Sequence, residues 1–254
     1  MLIATWNVNS LTARLPRVLG WLEQEHPEVL LIQETKCSDS SFPRDALAAM
    51  GYESAHHGDG RWNGVAIISR VGIEGVVRGL STPAPTGLPE PRFISADCGG
   101  VRLASVYIPN GREIGHPFFT YKLAWLQELS QVVANDLAHG DLLVGGDFNV
   151  APTDRDVFDP EAFVGATHVT AEERAALQAV IAEGLVDLAI TRDDPGFTFW
   201  DYRQGFFRRG LGMRIDLLLA SAPIAARLTR IWVDRQERAG ARPSDHAPLV
   251  AELG

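Results

Sequence analysis

Apolar residues along this chain recur with two periods. Short apolar runs at 2–6, 29–33, 64–69, 93–97, 101–107, 142–145, 215–220, 228–233 and 248–252 have the length and composition of buried strands. A helical period appears between some of them. Leu15, Val18, Leu19 and Leu22 fall at i, i+3, i+4 and i+7, with Pro16 placed in a first turn and Pro27 closing the segment. Leu123, Leu126, Leu129 and Val133 form a second stripe after His116-Pro117. Thr170 ahead of Ala171-Glu172-Glu173 is a capping-box pattern, and Leu177, Val180 and Ile181 continue that helix. Many strands with few helices do not fit a regular β-α-β barrel. They predict an α/β protein with two β-sheets packed face to face and helices on the outer faces.

Polar residues sit where the apolar runs stop. Ile3-Ala4-Thr5-Trp6 leads into Asn7-Val8-Asn9, and Val29-Leu30-Leu31-Ile32 into Gln33-Glu34-Thr35-Lys36. Ala104-Ser105-Val106-Tyr107 leads into Ile108-Pro109-Asn110, and Leu142-Leu143-Val144 into Gly145-Gly146-Asp147-Phe148-Asn149. Asp216 precedes Leu217-Leu218-Leu219, and Asp245-His246 precedes Ala247-Pro248-Leu249-Val250. Any one strand-end acid is ordinarily a solvated loop residue. A set of them implies one crevice at a sheet rim. Glu34 and Asp147 are the leading ligands for a hard cation, which takes carboxylate oxygens and leaves positions for water and phosphate. Asn7, Asn9 and Asn149 add neutral groups that do not repel phosphate. Asp216 and His246 have the makings of a carboxylate–imidazole pair, and Tyr107 near Asn110 could place a phenol on the same phosphate.

Composition adds limits. The 46% apolar and 22% charged content is ordinary for a globular protein. No apolar run is long enough to cross a bilayer, and Met1 leads directly into a strand, so no membrane association and a cytoplasmic location are expected. Cys37 and Cys98 have no metal-type spacing and are expected as free thiols. A net charge of −9 weighs against nucleic-acid binding. Yet Lys36 and Lys122 are the only lysines, which leaves 21 arginines among the 23 basic residues. Arginine forks suit phosphate, and two segments, 203–214 and 235–242, are locally basic. The aromatic run Phe197-Thr198-Phe199-Trp200-Asp201-Tyr202 leads into the first, as suits a nucleic-acid surface. The proline-rich stretch 81–91 reads as a loop between strands, so residues 1–254 are taken as one domain. Gly145-Gly146 lacks the ending of a nucleotide phosphate loop, and 154–159 lacks EF-hand spacing and reads as loop carboxylates.

The ordered set Trp6-Asn7-Val8-Asn9, Gln33-Glu34-Thr35-Lys36, Tyr107-Ile108-Pro109-Asn110-Gly111, Gly146-Asp147-Phe148-Asn149, Gly212-Met213-Arg214-Ile215-Asp216 and Ser244-Asp245-His246-Ala247-Pro248 resembles the exonuclease III family of DNA-repair nucleases. These abasic-site endonucleases belong to the endonuclease/exonuclease/phosphatase superfamily. The resemblance implies a four-layer α/β sandwich and Mg²⁺- or Mn²⁺-dependent phosphodiester hydrolysis. It implies that Glu34 holds the metal with Asn7 nearby, that Asp147 and Asn149 manage the attacking water, and that Asp216, His246 and Tyr107 serve the phosphate. Asp147, Asn149, Asp245 and His246 join the metal surroundings in this scheme, with Asp245 supporting a second ion position. Asn9, Lys36, Asn110, Arg112, Phe199, Trp200 and Met213 are the implied DNA contacts.

The implied substrate is double-stranded DNA with abasic sites or blocked 3′ ends, acted on by a monomer. The implied reaction is cleavage 5′ to an abasic site, with 3′-5′ exonuclease and 3′-phosphatase activity. Two alternatives stay open at this point: an RNA 3′-exonuclease, and a catalytically dead nucleic-acid-binding module. Met213 stands where relatives carry Leu or Trp. The loop 154–170 is a second place where relatives differ; a bulky side chain there, such as His168, would restrict a flipped sugar and favour 3′-end trimming.

Overall fold

The computed structural model describes residues 1–191 and 196–254. Its strands are β1 (Leu2–Asn7), β2 (Val29–Gln33), β3 (Glu53–His57), β4 (Val65–Ser69), β5 (Glu74–Arg78), β6 (Phe93–Cys98), β7 (Val101–Tyr107), β8 (Leu142–Asp147), β9 (Leu185–Asp187), β10 (Asp216–Ser221), β11 (Leu228–Val233) and β12 (Leu249–Leu253). The helices are α1 (Leu11–Glu25), α2 (Arg44–Ala48), α3 (Pro117–Leu137), α4 (Ala171–Ala182), α5 (Phe206–Arg209) and α6 (Ala222–Ala225).

Two mixed six-stranded sheets form, in the orders β11-β12-β1-β2-β4-β3 and β5-β6-β7-β8-β10-β9. Each has one parallel pair at its centre, β1 with β2 and β7 with β8, and each pair is joined by a long helix, α1 or α3. The two halves therefore share a strand arrangement that no sequence repeat betrays. Side-chain alternation explains the layers. Ile3, Leu31 and Ile67 of one sheet meet Leu103, Leu143 and Leu218 of the other in a central core. Trp6, Leu30 and Ile68 face outward onto Val18, Trp21 and Leu22 of α1. On the far side Val106, Val144 and Leu219 pack under Trp125, Leu129 and Val133 of α3 and Leu177 and Val180 of α4. The result is the four-layer α/β sandwich.

Three strands escaped the hydrophobic pattern: β3, β5 and β9. All three are sheet edges with one neighbour each. Glu53 is exposed, as are all of β5 except its half-buried Val76, and β9 has three residues, so none carries a buried apolar run. Pro16 also departs from its expected place. Ser10 caps α1 by accepting from the Ala13 N–H, so the helix starts at Leu11 and Pro16 lies inside it. The stretch 81–91 is a loop between β5 and β6, adjacent strands of one sheet. Thr170 and Glu173 form the expected capping box. Cys37 and Cys98 are buried free thiols.

Gly145 and Gly146 have a packing reason. A Cβ on Gly145 would sit 2.7 Å from both Leu218 and Leu31, and one on Gly146 would overlap the Val106 carbonyl. These glycines let β8 lie against β7 and the opposite sheet just before Asp147. Nearby, the buried Gln33 amide donates to Thr5 Oγ1 at 3.0 Å and to Ser105 Oγ at 3.0 Å, and so ties the two sheets below the rim.

Candidate active site

Sheet register assembles the rim. Asp147 pairs across β8 with Asp216 of β10 on one side and Tyr107 of β7 on the other. In the facing sheet, Asn7 of β1 pairs with Gln33 of β2, and Glu34 follows immediately. Residues far apart in sequence thus reach one end of both sheets because their strands stop there.

Hydrogen bonds then fix the side chains. His246 Nδ1 donates to Asp216 Oδ2 at 2.7 Å, and its Nε2 lies 3.7 Å from Asp147 Oδ2. The Asn7 amide donates to Glu34 Oε1 at 2.8 Å and to Asp147 Oδ2 at 2.9 Å, bridging the two sheets. Its own oxygen accepts from the Asn9 N–H at 3.0 Å, which orients the amide and turns that oxygen away from the carboxylates. Asn149, in the left-handed region at φ 50°, donates its N–H to Asp147 Oδ1 at 2.9 Å and its amide to the Ile108 carbonyl at 2.9 Å. Lys36 Nζ lies 2.7 Å from Glu34 Oε2 and donates to Asn9 Oδ1 at 2.6 Å, while Asn9 donates to Asp245 Oδ1 at 3.0 Å.

Burial and charge set the protonation states. Burial opposes the His246 imidazolium, but the Asp216 and Asp147 carboxylates outweigh it and raise its pKa. Burial raises the Asp147 carboxyl above the usual range, against the pull of His246. Burial also favours the protonated Glu34, yet Lys36 and the Asn7 amide hold its pKa below normal. Tyr107 is kept a neutral phenol by burial and by the Glu34 carboxylate. The donor set suits a hard cation: the Glu34 carboxylate opens on the cavity, which Asp147 and Asp245 also line. Single oxygens or nitrogens of Asp147, Asp216 and His246 also lie within 4.8 Å of one another. In its protonated state, however, the imidazole has no lone pair to give a metal.

A cavity of about 460 Å³ opens on this cluster. Glu34, Tyr107, Asn110, Asp147, Asn149, Asp245 and His246 line its polar side, and Phe199 and Met213 its apolar side. Asp216 lies behind His246, fully buried. Asn9 and Lys36 do not line the cavity and are committed to the hydrogen bonds above. Arg112 is exposed outside the cavity, its guanidinium 4.1 Å from the Phe118 ring. Trp200 corrects an expectation: it is fully buried and contributes no surface to the cavity. Its ring packs edge-on against Phe207 at 5.1 Å because Gly212 leaves room beside it.

Arg214 and Asp156 differ from expectation as well. Arg214 is buried and donates to Asp156 at 2.6 Å and Asp187 at 2.7 Å, so it is a core ion pair rather than part of a basic surface. Arg203, Arg208 and Arg209 remain exposed.

Sequence reasoning missed the aromatic wall residues Phe158, Phe163 and Phe206. Their rings meet edge-on, Phe158 with Phe163 at 5.5 Å and with Phe206 at 5.9 Å. Phe158 lies in a loop, and Phe163 and Phe206 on single helical turns, too short for a periodicity to mark an inward side chain. His168 also lines the cavity, at φ 81°, with Nε2 3.1 Å from both Asn149 Oδ1 and Asn110 Nδ2. Burial and the Lys122 charge lower its pKa to about 4, so the ring is neutral near pH 7.

The sequence profile of the Endonuclease/Exonuclease/phosphatase family matches residues 4–246. The chain is 30% identical over 269 residues to exodeoxyribonuclease III of Haemophilus influenzae, with all of both chains covered. Among solved structures, the 3′ phosphatase NExo from Neisseria, bound to product DNA hairpin, superposes with a TM-score of 0.95 at 40% identity, covering 100% of this chain and 99% of that one. An AP endonuclease from Archaeoglobus fulgidus superposes with a TM-score of 0.94 at 35% identity, covering 100% and 99%. Among the described residues, no helix is long and apolar enough to cross a membrane.

Proposed function

Because the chain belongs to the endonuclease/exonuclease/phosphatase family and is a DNA-repair nuclease of its exonuclease III branch, we propose that its preferred reaction is metal-dependent hydrolysis of phosphate esters at DNA 3′ ends. It releases 3′-phosphates and trims 3′ nucleotides to leave a 3′-hydroxyl. The observation that carries this reading is His168 in the cavity wall, 3.1 Å from Asn149 Oδ1. An internal abasic nucleotide has phosphodiester chain leaving it in two directions. A terminal phosphate has one. A side chain that narrows the cavity penalises the first more than the second. The 40% identity to a protein described as a 3′ phosphatase, against 35% to one described as an AP endonuclease, supports the same choice. Incision at internal abasic sites is the slower second reading, favoured by the apolar wall of Phe199 and Met213, which suits a sugar without its base.

Glu34 would hold Mg²⁺ or Mn²⁺, with Asn7 orienting its carboxylate and Asp245 nearby. The ion, when bound, supplies Lewis-acid stabilisation of charge on a phosphate oxygen. Asp147 takes the proton from a water attacking phosphorus. Its raised pKa suits a base working near neutrality, and Asn149 fixes its second oxygen. His246, held by Asp216, donates from Nε2 to a phosphate oxygen. Tyr107 adds the donor of a neutral phenol. The bond from phosphorus to the 3′ oxygen breaks, and that oxygen takes a proton from solvent and leaves as the hydroxyl.

The test is phosphate release from a duplex bearing a 3′-phosphate. Activity is expected to vanish with EDTA and to return on adding excess Mg²⁺. Cleavage that persists in EDTA would overturn the scheme.

A further inference from the structure

Lys122 lies on α3, is fully buried, and is one of only two lysines in the chain. A buried ammonium needs partners. Its Nζ donates to the Asn149 carbonyl at 2.6 Å, to Glu173 Oε1 at 2.5 Å and to the Asn110 carbonyl at 3.4 Å. Glu173 is equally buried. Its Oε1 also accepts from Thr167 Oγ1 at 2.6 Å, and its Oε2 accepts from the Thr170 hydroxyl at 2.9 Å and the Thr170 N–H at 3.2 Å. Thr167 Oγ1 further lies 3.2 Å from the Asn110 carbonyl. One ion pair thus ties together three loops: the turn after β7, the turn after β8 that carries Asn149, and the segment 167–170 that carries His168. Neither charged group reaches the cavity.

We infer that Lys122 and Glu173 are positioning residues that set which DNA ends the site accepts, by holding His168 against Asn149 and Asn110. This rests on the reading of His168 as the group that restricts the cavity. Asn149 and His168 both occupy left-handed backbone, at φ 50° and 81°, a conformation that side-chain-bearing residues keep only when their surroundings hold it. The clamp supplies that hold. Releasing it lets the 167–170 segment relax away from Asn149. The cavity then widens, while Asp147 loses part of the support that Asn149 gives it.

The test uses the full chain with both charges neutralised, Lys122→Met with Glu173→Gln, so that no lone buried charge remains. Two duplexes are compared, one with a 3′-phosphate and one with an internal abasic analogue, alongside a His168→Gly control. In the folded double variant, kcat for the 3′-phosphate is expected to fall on the order of 10-fold with KM little changed. The ratio of internal incision to phosphate release is expected to rise on the order of 10-fold. Thr167→Val, which keeps the side-chain volume of a residue that also lines the cavity and removes only its hydroxyl contacts to Glu173 and the Asn110 carbonyl, is expected to move the ratio the same way by less, and it serves if the double variant does not fold. A shifted ratio in His168→Gly with an unchanged ratio in the folded clamp variants overturns the inference and leaves the role of His168 standing. An unchanged ratio in His168→Gly itself overturns both.

Discussion

The two sides of the cavity are built differently. Asn7, Tyr107, Asp147 and Asp216 are the last or first residues of regular strands, locked by register and by hydrogen bonds of 2.7 to 2.9 Å among themselves and their neighbours. Phe158, Phe163, His168 and Phe206 lie outside the two sheets, on loops or, for Phe163 and Phe206, on single helical turns. They are held by edge-on ring contacts and by the buried Lys122–Glu173 pair. The first side carries the groups proposed for hydrolysis, and the second those proposed to shape what reaches them. On that proposal reaction type and substrate choice separate in this fold: one follows from sheet geometry, the other from loops that change without disturbing a strand.

Breaking the sheet side should have the largest effect. Asp147→Asn removes the proposed base and is expected to lower kcat by about 10²–10⁴-fold while DNA is still bound, measured by single-turnover phosphate release beside an equilibrium binding titration. Near-normal turnover would remove Asp147 from its assigned role.

A second prediction concerns the loop that presents Glu34. His56 is fully buried, with Nε2 2.8 Å from Thr35 Oγ1 and Nδ1 2.7 Å from Asp39, and burial lowers its pKa from 6.5 to about 4. The folded state therefore favours the neutral ring. The stability gained is complete above pH 6.5 and is lost as pH falls toward about 4. The loss should amount to roughly 3 kcal/mol across that window, seen as a steeper fall in urea-unfolding stability for the native chain than for His56→Gln. Parallel pH profiles for the two would contradict it.

The smallest effect is expected from the exposed arginines. Replacing Arg208 or Arg209 with Ala should weaken DNA binding uniformly and reduce the salt slope of the affinity by about 1 for each phosphate the guanidinium neutralises. An unchanged slope would place these side chains off the DNA path.

These differences track what was legible in the sequence. A buried strand announces itself by an unbroken apolar run, and a polar residue at its end stands out against that background. Glu34, Asp147, Asp216 and His246 were visible for this reason, and so were the central strands. The edges β3, β5 and β9 were not, because a strand with one neighbour and a solvated face need not be apolar. Phe158 in its loop and Phe206 on the single turn of α5 carried no signal either, since an aromatic there turns inward only when tertiary packing makes it do so. Trp200 and Arg214 misled in the opposite direction. They sit in a segment rich in aromatics and arginines that reads as a DNA surface, yet both are core residues, one packed beside Gly212 and the other paired with Asp156 and Asp187. Lys122 and Glu173 were invisible as a pair, being 51 residues apart and joined only in the folded chain.

The most direct measurement is a competition between two duplexes in one tube with Mg²⁺, one carrying a 3′-phosphate and the other an internal abasic site. The phosphate is expected to be released first, with nicking of the abasic duplex slower by at least about 10-fold. Nicking at an equal or faster rate would contradict the proposal that the loop side of the cavity selects DNA 3′ ends.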